Sequence, residues 1–441
     1  MTAREALASV ADTRRRLSTP PEAGESDGPL GWRGYGASRR SAARRTGETE
    51  SVVCATADIG GVPVVALSFE FGFLGGSIGE GTGDRIVAAH AHAREHHLPV
   101  VTLVATGGSR MQEGTCALSQ LQRVAEQIVH TRAAGLPQLA VLRDPTTGGG
   151  WATLGAGADM ILALPASQVA FAGSRVRPPE ADPAAYTAEA QLAAGHIDAV
   201  VPQRELRDEL ALRLRLLTFP RSREPAPPPH ALGAGDLPAS GWDAVARARA
   251  LERPRAEAYL DAYFTSRAEV VGDRCGGRDT GMRCGFGFHE GRTVAYAAQC
   301  GTATRPAGYR TAARLIRLAD RLGIPVLTLV DTPGAANDAS AEQAGAGSAI
   351  ADLFTAVASA RVPLTTLVIG EGGSGGALAL AAPGNTWAAP DSYFSVIAPE
   401  LAAAILKRPP SAKGATADEL RIRPQDLVEL GFLRGLVSRS A

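Results

Sequence analysis

The sequence has few cysteines, no excess of charge of either sign and no long apolar run, and each absence excludes a class of protein. Its five cysteines are an odd number and contain no Cys-x2-Cys pair, so they encode neither a disulfide framework nor a zinc ribbon. The 45 basic and 45 acidic residues cancel, which argues against a protein that binds nucleic acid or an anionic membrane. Apolar runs such as 98–105 end well before the roughly 20 residues that a membrane span requires.

The start of the chain lacks the apolar core of a secretory signal, although residues 1–16 carry charge. We therefore expect a soluble, cytoplasmic protein with reduced thiols and without a bound metal. The chain does have length, because 441 residues, of which 45% are hydrophobic, suffice for two or three globular domains.

An internal repeat organises the chain. The segments around Pro99 and Pro325 match closely, and the difference between their positions, which we call the repeat offset, also separates Pro137 from Pro363. A third pair of prolines, Pro165 and Pro390, keeps this offset to within one position. The sequence therefore predicts two copies of one domain type.

Each copy alternates short β-branched runs with helical stretches such as 83–96 and 309–322. This alternation indicates βαβ units, and strands that are apolar throughout indicate a parallel sheet covered on both faces. We predict four segments along the chain. They are a mobile basic N-terminal segment (1–48), a first α/β domain (49–220), a Pro- and Gly-rich linker (221–244) and a second α/β domain (245–441).

Four glycine-rich loops follow predicted strand ends, where ligands bind in α/β sheets. Consecutive glycines permit positive φ and let the backbone approach a ligand closely. Their N–H groups, together with the start of the next helix, can stabilise a developing negative charge, so the loops predict an oxyanion hole. The four loops are 106–110, 145–150, 331–334 and 370–376.

Other patterns favour less specific interpretations. No Gly-Lys-Ser or Gly-Lys-Thr stands at the spacing of a P-loop, so the glycines do not indicate a nucleotide site. Ser374 lies in a Gly-x-Ser-x-Gly string, the form of a nucleophile elbow, but it lacks a convincing acid and histidine partner. His92 and His96 could ligate a metal from one helix. Since no Glu completes a metalloprotease motif, we predict that these histidines, with His90 and His97, form a solvated helix face.

Several motifs resemble, in order, the two subunits of bacterial acetyl-CoA carboxylase carboxyltransferase. The first half of the chain is similar to the β subunit and the second half to the α subunit. The β-like motifs lie at 70–77, 106–114, 144–146 and 171–176, and the α-like motifs at 272–274, 308–310, 331–335, 370–377 and 395–400.

The resemblance implies two tandem crotonase-like domains, each a spiral of ββα units, that meet across the interface of a homodimer or higher homo-oligomer. It also implies two oxyanion holes, one for the enolate of a thioester and one for the ureido oxygen of carboxybiotin, with no side-chain base. Gly107 and Gly108 would form one hole, and Gly375 and Gly376 the other. The implied substrate-binding residues are Gly75, Gly76, Arg110, Gly149, Gly334, Ala335, Gly372 and Gly373.

The implied substrate is a small coenzyme A thioester of the acetyl or malonyl class, and no tightly bound cofactor is expected. Carboxybiotin would be presented on a separate biotin carboxyl carrier protein. The chain departs from the family in the shortened segment 300–307, which lacks a basic surface for coenzyme A and favours an acyl carrier protein as substrate. Two alternatives stay open: biotin-independent decarboxylation of a malonyl thioester on either carrier, and an inactive acyl-binding scaffold.

Overall fold

The structure is a computed structural model that describes residues 1–18, 27–220, 222 and 224–439. It divides the chain into two units, of which unit 1 comprises Met1–Thr218 and unit 2 begins at Phe219. Each unit contains one eight-stranded sheet. No helix in the described part of the chain is long and apolar enough to cross a membrane.

In unit 1 the strand order is β1-β2-β3-β4-β5-β6-β8, with β7 beside β5. The first three strands are antiparallel and those from β3 onward are parallel. The strands are β1 (Thr13–Arg16), β2 (Val52–Ile59), β3 (Val62–Phe69), β4 (Val100–Thr106), β5 (Gln138–Thr147), β6 (Met160–Ala163), β7 (Val169–Ala170) and β8 (Ala199–Val200). The helices are α1 (Ala3–Val10), α2 (Tyr35–Thr46), α3 (Glu80–Glu95), α4 (Gly114–Ala133), α5 (Gly148–Gly150), α6 (Ala188–Ala193) and α7 (Leu206–Thr218).

Unit 2 has the matching order β16-β14-β13-β12-β11-β10-β9, with β15 beside β13. Its strands are β9 (Ser266–Glu269), β10 (Met282–His289), β11 (Arg292–Gln299), β12 (Val326–Thr332), β13 (Leu364–Gly373), β14 (Thr386–Ala388), β15 (Tyr393–Ser395) and β16 (Gly435–Leu436). Its helices are α8 (Gly241–Arg249), α9 (Ala256–Tyr263), α10 (Pro306–Leu322), α11 (Ala339–Gln343), α12 (Ala346–Ser359), α13 (Ser374–Leu378), α14 (Pro399–Ile405), α15 (Lys413–Glu419) and α16 (Pro424–Glu429).

Short helices of other types complete both units. A π-helical turn, Trp151–Gly155, continues α5. The 3-10 helices are Leu74–Gly76, Met111–Glu113, Ser174–Val176, Pro183–Tyr186 and Pro410–Ala412.

The structure keeps the repeat that the sequence predicts. Strands β12 and β13 and helix α10 begin one repeat offset after β4, β5 and α3. A shift in strand register also recurs. The pairing of β4 with β5 shifts between Val104 and Thr106, and the pairing of β12 with β13 shifts between Val330 and Thr332. All residues of β4 and β12 are buried, as expected of central strands covered on both faces. The prediction of two tandem α/β domains of the crotonase-like type is confirmed.

The prediction that residues 1–48 are mobile is wrong for the described part of that segment. Ala3, Ala6, Leu7 and Val10 form a buried stripe on α1, and this spacing of three and four residues is that of an amphipathic helix. The arginines at 14–16 lie on β1, which pairs antiparallel with β2. The many basic residues suggested a mobile segment, although its short apolar stripe is sufficient to anchor it.

The linker predicted at 221–244 is likewise more ordered, in its described part, than its composition indicates. Ala226 and Ala231 are 1% and 2% exposed and belong to the core of unit 2. The carbonyl of Pro227 accepts a hydrogen bond of 2.9 Å from the Tyr263 hydroxyl, and α8 already begins at Gly241. Proline favours an extended backbone here, but the extended segment packs against unit 2.

The histidines of α3 do not share one solvated face, because His90 is 1% exposed. Its Nδ1 lies 2.9 Å from Thr131 Oγ1, and its Nε2 has no hydrogen-bond partner within the described ranges. Burial, with a smaller contribution from the charge of Arg94, lowers the pKa of His90 to about 4.

This buried histidine predicts a loss of stability in acid. The unfolded chain binds the proton near pH 6.5, so the stabilisation is complete above pH 6.5 and is lost as the pH falls toward 4. We expect the free energy of unfolding to drop by about 2 kcal/mol between pH 7 and pH 4.5 through His90. Urea unfolding should show this drop in the wild type and in the exposed-site control His130→Gln. If His90→Gln kept the full drop, His90 would not be its source.

Candidate active site

The first glycine loop of unit 1 follows β4 and is joined to the segment after β3. Gly107 N–H donates to the Gly75 carbonyl (2.9 Å), Ile78 N–H to the Gly108 carbonyl (2.8 Å), and Arg110 N–H to the Ile78 carbonyl (2.9 Å). Gly76 makes this approach feasible, since a Cβ there would collide with the carbonyl oxygen of Ala105. The two segments therefore extend the parallel ladder of the sheet.

The N–H groups of Gly107 and Gly108 do not fit the donor role predicted for them. Gly107 already donates to Gly75, and Gly108 N–H donates to Thr106 Oγ1 at 3.0 Å. An oxyanion hole requires N–H groups aimed at the ligand, so in such a hole these two glycines would form the wall and not the donors. Gly107 is exposed, whereas Gly108 is buried with a φ of +105°.

The second glycine loop of unit 1 lies directly against the first. At the end of β5, Gly148 has a φ of +62° and donates its N–H to the Phe171 carbonyl (3.0 Å). A Cβ on Gly148 would lie 3.1 Å from Gly108 Cα. Gly149 and Gly150 are the second and third residues of α5, and the first N–H groups of a helix have no intrahelical acceptor. This pair is therefore better placed than Gly107 and Gly108 to stabilise an anion.

Unit 2 repeats the first loop at Pro333, Gly334 and Ala335. Thr304 N–H donates to the Gly334 carbonyl at 3.1 Å, and Gly334 N–H donates to Thr332 Oγ1 at 3.1 Å. The second bond is the counterpart, one repeat offset later, of the one from Gly108 to Thr106. Gly334 thus supplies a backbone turn with a φ of +139°, and its N–H is already used.

The second loop of unit 2 brings Gly372, Gly373, Gly375 and Gly376 to the end of β13. Gly376 packs closely on the first loop, since a Cβ there would lie 2.5 Å from Ala335 N. Gly375 is exposed, and a Cβ there would meet nothing within 4 Å. These two glycines are the second and third residues of α13, so their N–H groups also lack intrahelical acceptors.

The repeat identifies one candidate site residue that the prediction from the sequence did not include. Subtracting the repeat offset from Gly375 and Gly376 gives Gly149 and Gly150, whereas subtracting it from Gly334 gives Gly108. Each unit therefore carries one loop that forms the wall and one that opens a helix. Gly150 was absent from the predicted site, although the offset already visible in the sequence could have found it.

The predicted glycines Gly372 and Gly373 serve to pack the loop. A Cβ on Gly372 would collide with the Phe394 ring, and one on Gly373 with the Pro333 carbonyl. Beneath the helix start, the fully buried Gln299 donates from Nε2 to the Gly376 carbonyl at 3.2 Å. These contacts fix the backbone that presents the N–H groups of Gly375 and Gly376.

Arg110 does not fit the substrate-binding role predicted for it. Its side chain is fully buried, and both terminal nitrogens donate to the two carboxylate oxygens of Glu50 at 2.7 Å. One of them also donates to Glu113 at 3.2 Å and to the Tyr35 hydroxyl at 3.0 Å. Because these bonds use its donors, the Arg110 guanidinium supports the Gly107 loop from the protein interior and is not available to a ligand.

Comparison with known proteins gives a consistent assignment for both units. A sequence profile described as "Carboxyl transferase domain" matches residues 32–201, and one described as "Acetyl co-enzyme A carboxylase carboxyltransferase-like" matches residues 238–440. The acetyl-coenzyme A carboxylase carboxyl transferase subunits beta/alpha of Saccharopolyspora erythraea is 37% identical over 421 residues, which cover 91% of this chain and 73% of that protein. The chain belongs to the acetyl-CoA carboxylase carboxyltransferase family.

A further relative is similar over most of the chain, and a solved structure shares its fold. The probable biotin-dependent acyl-coenzyme A carboxylase beta3 subunit of Mycobacterium bovis is 33% identical over 417 residues, covering 91% of this chain and 83% of that protein. The crystal structure of transcarboxylase 12S superposes with a TM-score of 0.81 at 22% identity, over 99% of this chain and 87% of that one. The predicted family and fold are confirmed, and the chain is an enzyme of the carboxyltransferase type.

In this member of the carboxyltransferase family, Ser374 does not have the surroundings of a nucleophile. Its φ of +60° matches the +62° of Gly148, its counterpart one repeat offset earlier, so the left-handed backbone belongs to the repeated turn. No hydrogen bond from Ser374 Oγ to a histidine or carboxylate occurs in the described part of unit 2. The carboxylate of Glu371 is occupied by Arg249 Nε at 2.8 Å and by the Tyr393 hydroxyl at 2.7 Å.

Ser374→Gly should therefore retain activity within about twofold and raise stability. A left-handed residue with a Cβ costs roughly 1–2 kcal/mol, part of which the added freedom of glycine in the unfolded chain offsets. We expect a gain of about 0.5–1 kcal/mol in the free energy of unfolding. Chemical denaturation together with the steady-state rate would test both parts, and a hundredfold loss of rate would reinstate a nucleophilic serine.

Proposed function

We propose that this protein transfers a carboxyl group between carboxybiotin, held on a separate carrier protein, and a small acyl-CoA of the acetyl or malonyl class. The observation that carries the proposal is the repeated pair of N–H groups at Gly149–Gly150 and Gly375–Gly376. Each pair lies at the start of a helix, next to the other glycine loop of its unit. The proposed reaction develops two oxyanions, and the repeat supplies one pair of N–H groups for each. Preorganised donors of this kind are typically the largest contribution to acyl-group catalysis.

In this mechanism one pair of N–H groups stabilises the enolate that forms when the α-carbon of the thioester loses its proton. The other pair would stabilise the ureido oxygen of biotin. When bound, carboxybiotin would supply the carboxyl group and its ureido nitrogen would take up the α-proton, so the α-carbon would exchange that proton for the carboxyl group. Gly107, Gly108, Gly334 and Ala335 line the two sites and keep side chains away from the reacting atoms.

We further propose that the active enzyme is a homodimer or higher homo-oligomer. Large apolar side chains are exposed near the loops of both units, where water contact is unfavourable unless a partner covers them. In unit 1 they include Met111 (77% exposed), which directly follows the first loop, and Phe171 (75%), whose carbonyl accepts from Gly148. In unit 2, Val396 (71% exposed) directly follows β15, which pairs with the end of β13. An assembly that covers these side chains would also exclude water from the reacting groups.

An exchange assay tests the proposed reaction. Purified protein incubated with labelled malonyl-CoA and a biotinylated carrier protein should move the label to biotin, and should release little carbon dioxide when biotin is omitted. Carbon dioxide release from a malonyl thioester at an undiminished rate without biotin would favour the decarboxylase alternative. Absence of both reactions on coenzyme A and on acyl carrier protein would favour the inactive scaffold.

A further inference from the structure

The C-terminal end of α3 carries a group of potential metal ligands away from the glycine loops. His92, Glu95 and His96 each offer one ligand atom, and these atoms all lie within 4.8 Å of one another. The metalloprotease motif with Glu directly after the first histidine is absent from this helix. The order His-x-x-Glu-His, with Glu95 directly before His96, is a second arrangement used by zinc enzymes.

Helix geometry places these three side chains on one surface. Residues three and four apart are neighbours on a helix, so Glu95 and His96 both lie beside His92. The two imidazole rings are stacked with centroids 3.9 Å apart and planes inclined by 29°. Glu95 and His96 are exposed and His92 is half-buried, so an ion could enter from solvent without rearrangement of the fold.

One hydrogen bond already orients His96 as a ligand. Its Nδ1 lies 3.0 Å from the His92 carbonyl, and because a carbonyl only accepts, this nitrogen carries the proton. Nε2 is therefore the nitrogen of His96 that remains to coordinate a metal. Histidines that bind metals commonly donate their other ring nitrogen to a carbonyl or carboxylate in this way.

The site also carries a charge that suits a cation. The carboxylate of Glu95 would partly compensate the positive charge of a bound ion.

We propose that His92, Glu95 and His96 bind one divalent transition-metal ion, of which Zn²⁺ is the best match. Two imidazole nitrogens and one carboxylate oxygen suit Zn²⁺, and water would complete a tetrahedral site. His92 and Glu95 also line a cavity of about 670 Å³, which leaves room for that water. Because the unfolded chain does not hold the three ligands together, the ion would stabilise the folded state.

Titration of the full, untagged chain with Zn²⁺ tests this site, using calorimetry for stoichiometry and thermal unfolding for linkage. The wild type should bind one Zn²⁺ per chain and show a melting temperature that rises with Zn²⁺ concentration. His92→Ala and His96→Ala should each weaken binding at least tenfold and abolish the rise, whereas Glu95→Gln should weaken it less. Bound Co²⁺ should give the visible absorption of a tetrahedral ion in the wild type and not in His92→Ala or His96→Ala.

His130→Ala is the matched control, since His130 is an exposed histidine near the end of the neighbouring helix α4. It should bind Zn²⁺ as the wild type does. The variants at His96 and His130 replace exposed side chains, so their melting temperatures without metal should equal that of the wild type. Zn²⁺ binding that survives His92→Ala and His96→Ala, or no binding by the wild type, would overturn the proposal.

Discussion

Replacing Gly375 with valine is expected to lower the rate of carboxyl transfer by about a hundredfold or more, the scale of effect seen when an oxyanion hole is impaired. Gly375 is exposed, and a Cβ there meets nothing within 4 Å. Its φ lies outside the left-handed range, so valine adds no backbone strain. The new side chain would instead occupy the space in front of the N–H pair where the substrate oxygen is proposed to bind.

The measurement is kcat/KM in the biotin-dependent exchange reaction, with thermal unfolding recorded on the same samples. Gly347→Val is a matched control, because Gly347 is the second residue of α12 as Gly375 is of α13, and a Cβ there also meets nothing within 4 Å. Both variants should unfold like the wild type, and only Gly375→Val should lose activity. A loss of less than fivefold at Gly375 would remove this glycine from the site.

Neither Gly376 nor Gly108 offers an equally clear test. A Cβ on Gly376 would lie 2.5 Å from Ala335 N, which is closer than two packed atoms can approach, so the loop would have to move. Gly108 has a φ of +105°, a backbone conformation that side chains with a Cβ rarely adopt. A loss of activity at either position would therefore combine misfolding with a loss of chemistry.

The repeat explains how much of this site could be predicted from the sequence. Glycine strings after apolar strands indicated the four loops, and the constant repeat offset related them in pairs. The sequence could not indicate that Gly107 donates its N–H to Gly75, because that bond joins two segments that α3 and β4 separate in the chain. Which N–H groups are already used depends on such contacts, so the difference in role between the Gly107–Gly108 loop and the Gly149–Gly150 loop emerged only in the structure.

Arg110 illustrates the same limit for a side chain. A basic residue next to a glycine loop suggests a ligand for an anionic substrate, and only the approach of Glu50, 60 residues away in sequence, gives it a structural role.

In the N-terminal segment the prediction erred in the opposite direction, because a segment expected to be mobile is packed. Its many arginines suggested a solvated tail, yet Tyr35 from this segment is 1% exposed and its hydroxyl contacts Glu113 and Arg110.

The burial of this ion pair leads to the largest expected effect on stability. Glu50 is 1% exposed and accepts two hydrogen bonds of 2.7 Å from Arg110. Burial alone would raise the pKa of Glu50, but the hydrogen bonds and the charge of Arg110 outweigh it and lower this pKa to about 2. The carboxylate is therefore ionised throughout the neutral range, and its contribution to stability fades only as the pH falls from about 4.5 toward 2.

Glu50→Gln should lower the free energy of unfolding at pH 7 by about 3–5 kcal/mol, because it leaves the Arg110 charge buried without its main counterion. Urea unfolding would measure this loss against Asp84→Asn, which removes an ion pair of 2.9 Å whose side chains are 44% and 45% exposed. Such an exposed pair contributes at most about 1 kcal/mol. Adding Arg110→Met to Glu50→Gln removes the unpaired charge, so the double variant should be more stable than the sum of the two single losses predicts. If Glu50→Gln cost no more than Asp84→Asn, the pair would not be what anchors the Gly107 loop.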